Sequence, residues 1–180
     1  MKYITSFIAL AFLFISCEGP QGPPGFDGIN GQNGLNRIVQ SFEVTVDFVA
    51  PNYENIIQFP NNSGIQADDM TLIYILWDEV PGNNGGTVDV WRLLPQTVYT
   101  NFGEFQYNYD ATNGDARIFL DAPSSFDFNN LSAADLNNQT FRIVVLPVEH
   151  QNNPLLDITD YNSVMNLAGL SSSDIITIEQ

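Results

Sequence analysis

Cysteine and histidine each occur once in the 180 residues, and Lys+Arg number 5 against 21 Asp+Glu. A single cysteine excludes both a disulfide framework and a redox dithiol. One histidine and one cysteine leave too few ligands for a zinc site, which needs three or four. The shortage of basic side chains, with a formal charge of -16, sets the chain against phosphate backbones and anionic headgroups, so nucleic acid is excluded as a partner. No Gly-x-Gly-x-x-Gly lies between a predicted strand and a helix, which excludes a dinucleotide fold. No nucleophile elbow is present either, and His150, beside Gln151-Asn152-Asn153-Pro154, has no motif partner for a triad and is expected in an exposed loop. What is abundant points the other way from disorder: 44% of residues are hydrophobic and 12% aromatic. The length suits one domain with a real core.

Long apolar runs are scarce, and the clearest is at the N-terminus. Lys2 precedes a run over residues 4–15 that is almost wholly apolar and too short to span a bilayer, followed by Ser16 and Cys17. Phe14-Ile15-Ser16-Cys17 resembles the lipobox of bacterial lipoproteins, with Phe14 in place of the usual Leu and Ile15 in place of the usual small residue. The resemblance implies a signal peptide over 1–16 and lipidation of Cys17, which becomes the new N-terminus. Two or more acyl chains on that cysteine would anchor the protein stably to membrane lipid. Glu18 follows where an Asp would retain the protein in the inner membrane, so the resemblance implies the outer membrane and leaves the side open. Beyond residue 16 the basic side chains are Arg37, Arg92, Arg117 and Arg142, without a lysine.

Gly19, Gly22, Gly25, Gly28, Gly31 and Gly34 recur at every third position. That is the collagen pattern, in which three polyproline-like chains meet at an axis that admits no side chain. Pro20, Pro23 and Pro24 preset the backbone angle in the first two triplets, and the other four triplets have no proline. Two arrangements follow: a homotrimeric stalk if the next domain trimerises, or a monomeric extended tether spanning about 3.1 Å per residue. The chain as a whole resembles the collagen-like lipoproteins of Gram-negative bacteria, in particular small flavobacterial ones with a Cys-Glu-Gly-Pro start. The likeness implies an envelope lipoprotein and carries over no catalytic residue. The expected organisation is therefore 1–16 signal, 17–36 lipidated and collagen-like, and 37–180 a β domain.

From Arg37 onward the hydrophobic period becomes two. Phe42, Val44, Val46 and Phe48 alternate with Glu43, Thr45 and Asp47, which predicts a half-buried strand. Residues 70–80 and 141–148 are apolar on both faces and predict central strands, with Pro147 at a strand end or bulge. Weaker strands are expected over 55–59, 87–93, 97–100, 104–110, 117–121 and 175–179. Asn113-Gly114 predicts a tight hairpin built on positive backbone angles. Ser132 with Asp135 forms a capping-box pattern beside Leu131 and Leu136. Asp160 can cap a helix with an apolar face of Tyr161, Val164, Met165 and Ala168, ended by Gly169. The sum predicts a mainly β chain, an antiparallel β-sandwich of immunoglobulin-like or jelly-roll style with one or two short helices.

Two kinds of candidate site remain. Asp68-Asp69, Asp78-Glu79 and the turn from Asp110 to Asp115 offer hard oxygens, so calcium is the one metal left open, although Asp110-Ala111-Thr112-Asn113-Gly114-Asp115 fits no calcium-loop pattern. Phe105, Tyr107 and Tyr109 share one face of a strand, opposite Glu104, Gln106, Asn108 and Asp110. They form either a glycan-stacking platform or a core row, and the strict alternation fits the core better. Arg92, Arg117 and Arg142 are expected to pair with carboxylates on an outer face, where ion pairs contribute little. The function expected is a non-enzymatic envelope lipoprotein that binds a protein partner, with a glycan-binding module as the alternative.

Overall fold

The computed structural model describes residues 37–61, 63–83, 85–151 and 153–179. The expected signal segment 1–16, Cys17 and the glycine triplets lie outside them. Nine strands are described: β1 (Gln40–Val46), β2 (Glu54–Gln58), β3 (Met70–Pro81), β4 (Thr87–Leu93), β5 (Gln96–Thr100), β6 (Gly103–Ala111), β7 (Asp115–Asp121), β8 (Gln139–Leu146) and β9 (Ile176–Thr177). They form a five-stranded sheet in the order β4-β3-β8-β1-β9 and a four-stranded sheet in the order β2-β7-β6-β5. Three short α-helices are described, α1 (Ala133–Leu136), α2 (Val148–Gln151) and α3 (Tyr161–Ala168), of which α1 and α3 follow the capping signals.

The core between the sheets is made by the alternation itself. Phe42, Val44 and Val46 of β1, Ile73 and Ile75 of β3 and Phe141, Ile143 and Val145 of β8 meet Ile57, Phe105, Tyr107, Ile118 and Leu120 from the other sheet. Because β3 and β8 are apolar on both faces, the five-stranded sheet presents a second apolar surface outward: Leu72, Tyr74, Val144 and Leu146. Water cannot cover such a surface cheaply, and Val164 and Met165 of α3 pack on it, joined by Leu156, Ile158, Leu170 and Ile175. The result is a β-sandwich with a helical cover on one sheet.

Local chemistry accounts for the ends of α3. The Asp160 carboxylate accepts from the Asn162 N–H at the start, and Gly169 takes the left-handed conformation at φ 66° at the end. The Leu170 N–H then reaches Met165 O at 3.0 Å. At α1 the Asp135 carboxylate accepts from the Ser132 N–H at 3.0 Å, so the capping box is in place.

The structure departs from expectation in the type of one turn, in the direction and length of the last strand, and in the setting of His150. The β6–β7 hairpin turns at Asn113-Gly114, but neither residue has a positive φ. The turn is held instead by the Thr112 hydroxyl, which donates to Asp115 Oδ1 at 2.7 Å and accepts from the Gly114 N–H at 3.1 Å. The sandwich is not wholly antiparallel, because β9 runs parallel to β1 through Phe42↔Ile176 and Glu43↔Thr177 after the chain has crossed over α3. That last strand is two residues long, shorter than the apolar stretch suggests. The strand expected over 141–148 spans Gln139–Leu146 and ends at Pro147 as expected, since Pro147 has no N–H to continue the ladder, but the chain then turns into α2, which carries His150 in place of a loop.

Phe141 is fully buried between the sheets, against Phe48 and Tyr107. Phe141→Ala should lower stability by about 3–5 kcal/mol, read as an earlier midpoint in urea unfolding with little change in slope.

Candidate functional site

The sandwich has two distinguishable ends. The chain comes in at Arg37, and β1 starts beside the start of β3 and the end of β8, since Gln40 pairs with Val145 and Met70 with Leu146. The Tyr109 hydroxyl donates to Thr71 O at 3.0 Å, so β6 also ends here. The start of β6, the β5–β6 turn and the loop after β1 therefore lie at the opposite, far end.

At the near end Arg37 is held by three acids. Its Nη1 lies 2.6 Å from Asp69 Oδ1, and its Nη2 3.2 Å from Glu149 Oε2, with Asp68 at 3.9 Å. The other oxygen of Asp69 accepts from the Gln66 N–H at 2.8 Å, and the side chain is only 4% exposed. Asp69 is thus a structural counter-charge with both oxygens engaged, which corrects its candidacy as a calcium ligand. Asp110 is taken by Arg117, and Asp115 by Thr112. Among the described residues no group of three or more His, Cys, Asp or Glu is gathered closely enough to hold a metal ion. Beside Arg37 a cavity of about 530 Å³ opens, lined by Ile38, Pro60, Ile65 and Ile176 among others. Ile38 is 80% exposed and Ile176 51%.

The aromatic row of β6 faces inward. Phe105 and Tyr107 are buried, and Tyr109 is half-buried. The Tyr107 hydroxyl donates to Asp135 O at 2.7 Å, so even its polar tip is engaged. Phe105 and Tyr107 therefore cannot stack on a sugar ring, and the glycan platform at these residues is corrected to a core row. The physical reason is the period of two: the face that carries the rings is the face that meets the other sheet.

The exposed aromatics are elsewhere, at the far end. Tyr99 and Phe102 flank the β5–β6 turn at 80% and 63% exposure, and Val49 follows β1 at 65%. That turn is rigidly built. The Thr100 hydroxyl donates to Gly103 O at 2.8 Å and accepts from the Phe102 N–H at 3.0 Å. Gly103 sits at φ 125°, and a Cβ there would meet the Phe126 ring at 3.2 Å, so glycine is required on both counts. Isolated exposed apolar residues are ordinary, but the single signal that could have singled these out in the sequence was the turn itself, with aromatics on both sides of Asn101.

The arginines divide. Arg117 follows the surface expectation, pairing with Asp110 and Glu54 (3.4 Å) on the outer face of the four-stranded sheet. Arg92 lies 4.2 Å over the Trp77 ring, a cation–π contact in place of a carboxylate. Arg142 departs most: it is 9% exposed, beneath α3. Register explains its partners. Glu43 of β1 and Tyr74 of β3 are directly opposite Arg142 on either side of β8. The guanidinium donates to Glu43 and to the Tyr161 hydroxyl of α3, and lies 4.1 Å over the Trp91 ring. Burial works against its charge, but the bonds to Glu43 and Tyr161 outweigh it and raise its pKa. This cluster locks the helical cover to the sheet.

Comparison with known proteins finds no match: no family model, no curated protein and no solved structure matches the chain.

Two outcomes follow from these contacts. Arg142→Met removes the partner of Glu43, whose side chain is 30% exposed, and the contacts to Tyr161 and Trp91, and should cost about 1–3 kcal/mol in denaturant unfolding, whereas Arg117→Met should shift the midpoint far less. Burial raises the pKa of the Tyr74, Tyr107, Tyr109 and Tyr161 hydroxyls above the ordinary 10.0. Their contribution is complete below that pH and is lost as pH rises past it, because the unfolded chain ionises first. An ultraviolet titration of tyrosinate should therefore show these tyrosines ionising together with alkaline unfolding; ionisation well before any loss of circular dichroism would contradict their burial.

Proposed function

We propose that this chain is a lipoprotein of the cell envelope, acylated at Cys17 and held in the outer membrane, whose β-sandwich binds a protein partner as a non-enzymatic accessory subunit of an outer-membrane complex. The observation that carries the reading is the polarity of the domain. The chain comes in at the near end, fixed there by Arg37 and its acids, and a rigid turn presents Tyr99 and Phe102 at the far end. An anchor on the N-terminal side thus leaves that turn directed away from the attachment point. Exposed aromatic side chains on an ordered turn are good anchors for a partner, because they bury much area and lose little conformational freedom.

The strong acidity of the chain supports the same reading, since it disfavours direct adhesion of the domain to anionic headgroups and leaves the acyl chains as the membrane contact.

Replacement of Cys17 by Ser should abolish incorporation of labelled palmitate and move the protein from the membrane fraction to the soluble one. In the acylated protein, the double substitution Tyr99→Ala with Phe102→Ala should remove the co-purifying partner in mild detergent without changing thermal unfolding. A complex that survives both changes would refute the role of the far-end turn.

A further inference from the structure

The two sheets are finished differently on their outer faces. The five-stranded sheet is covered by α3, whereas the outer face of the four-stranded sheet stays open, with Tyr99 on it 80% exposed and Ile56 52%. Register fixes what this open face carries. Tyr99 of β5 stands opposite Glu104 of β6, and Thr97 opposite Gln106, which in turn stands opposite Asp121 of β7. Directly opposed residues of an antiparallel ladder point to the same side. That side is the outer one, because the alternate residues Val98, Phe105, Tyr107 and Leu120 are in the core.

The acids of the open face fall into two groups. Asp110 and Glu54 are taken by Arg117. Glu104 and Asp121, both exposed and both toward the far end, meet no basic side chain among the described residues. They are diagonal neighbours on adjacent strands, a spacing of roughly 7–8 Å. Both line one hollow of about 270 Å³, together with Gln106. The Gln106 Nε2 donates to Thr97 Oγ1 at 3.0 Å, which leaves the carboxamide oxygen to accept. Three acceptor groups, two of them charged, thus surround the hollow, and Tyr99 stands beside Glu104.

A guanidinium is the complement of that arrangement. It carries five N–H donors and no acceptor, and its planar fork can bridge two carboxylates and stack on an aromatic ring. An ammonium is a compact point charge without that fork, and a neutral group leaves both carboxylates uncompensated. The formal charge of -16 draws any basic surface toward the protein, but the unpaired acids beside an exposed ring give the attraction a place. We propose that the far-end half of this open sheet face is a docking surface for a basic segment of the protein partner, with an arginine of that segment seated between Glu104 and Asp121 against Tyr99. The inference rests on the reading of Tyr99 as a partner anchor and deepens it by naming the chemistry of the partner.

The test uses the acylated protein in mild non-ionic detergent and a labelled, end-blocked Gly/Ser peptide with arginine at alternate positions, followed by fluorescence anisotropy. The wild type should bind it, and Glu104→Gln with Asp121→Asn should weaken binding about tenfold without changing thermal unfolding. Glu79→Gln with Asp89→Asn removes the same charge from two acids directly opposite one another on the other sheet. That pair should weaken binding by less than about threefold, since only general attraction is lost. No binding by the wild type overturns the inference, as does equal weakening by the two double variants or equal binding of the peptide with citrulline or lysine in place of arginine. A native partner that is lost with Tyr99→Ala and Phe102→Ala, yet survives substitution of Glu104 and Asp121, overturns this inference alone and leaves the far-end reading intact.

Discussion

The burial of β8 on both faces is the constraint from which the rest of the domain follows. Phe141, Ile143 and Val145 on one side and Val144 and Leu146 on the other are all removed from water. One sheet can cover only one of those faces. The four-stranded sheet supplies the first cover, and the second has to come from residues after β8, which is what residues 148–175 do by laying α3 across the outer surface. After α3 the chain returns as β9 in the direction opposite to β8, and because β8 is itself antiparallel to β1, β9 pairs with β1 in parallel.

Arg142 shows how a single charge is accommodated within that design. It interrupts the apolar outer face of β8 where three neighbours meet the guanidinium, Glu43 across the ladder, Tyr161 from the helix above and the Trp91 ring, while its Nε stays buried without a partner among the described residues. Pairs of this kind are costly to break and of modest net benefit to form, and their value lies in specifying one arrangement. Here the arrangement specified is the seating of α3, because Tyr161 is its first residue and meets both Tyr74 and Trp91. Arg37 does the same at the near end, where Asp69 and Glu149 bring together the start of the domain, the loop before β3 and helix α2.

The strands were legible wherever one face met water, as in β1 and β6, because a period of two has a single explanation there. The doubly apolar stretches were legible as central strands, yet nothing in them indicated that the cover of their outer face would be a helix from the same chain. The weak spot was polar chemistry. Asp69 reads in sequence as a free acid in a loop, and only the fold brings Arg37, 32 residues away, onto it. Arg142 reads as a surface residue for the same reason: burial of a strand residue depends on what packs above the sheet, which its neighbours in sequence do not encode. The Asn113-Gly114 turn was correctly located and wrongly typed, since the Thr112 hydroxyl supplied the bonds that a positive backbone angle was expected to provide.

Composition and spacing alone therefore determined the class of the domain, the position of its strands, the caps of α1 and α3, and the inward direction favoured for the β6 aromatics. Each depends on side-chain periodicity or on hydrogen bonds within a few residues, which are properties of the local chain. Only the tertiary structure decided which charges are buried, which acids are already engaged, and which apolar residues stay on the surface. Ile38, Tyr99, Phe102 and Ile176 look in sequence like any core residue, and they remain exposed because no other part of the described chain reaches them. Long-range packing makes that choice, and long-range packing is what a linear pattern does not contain.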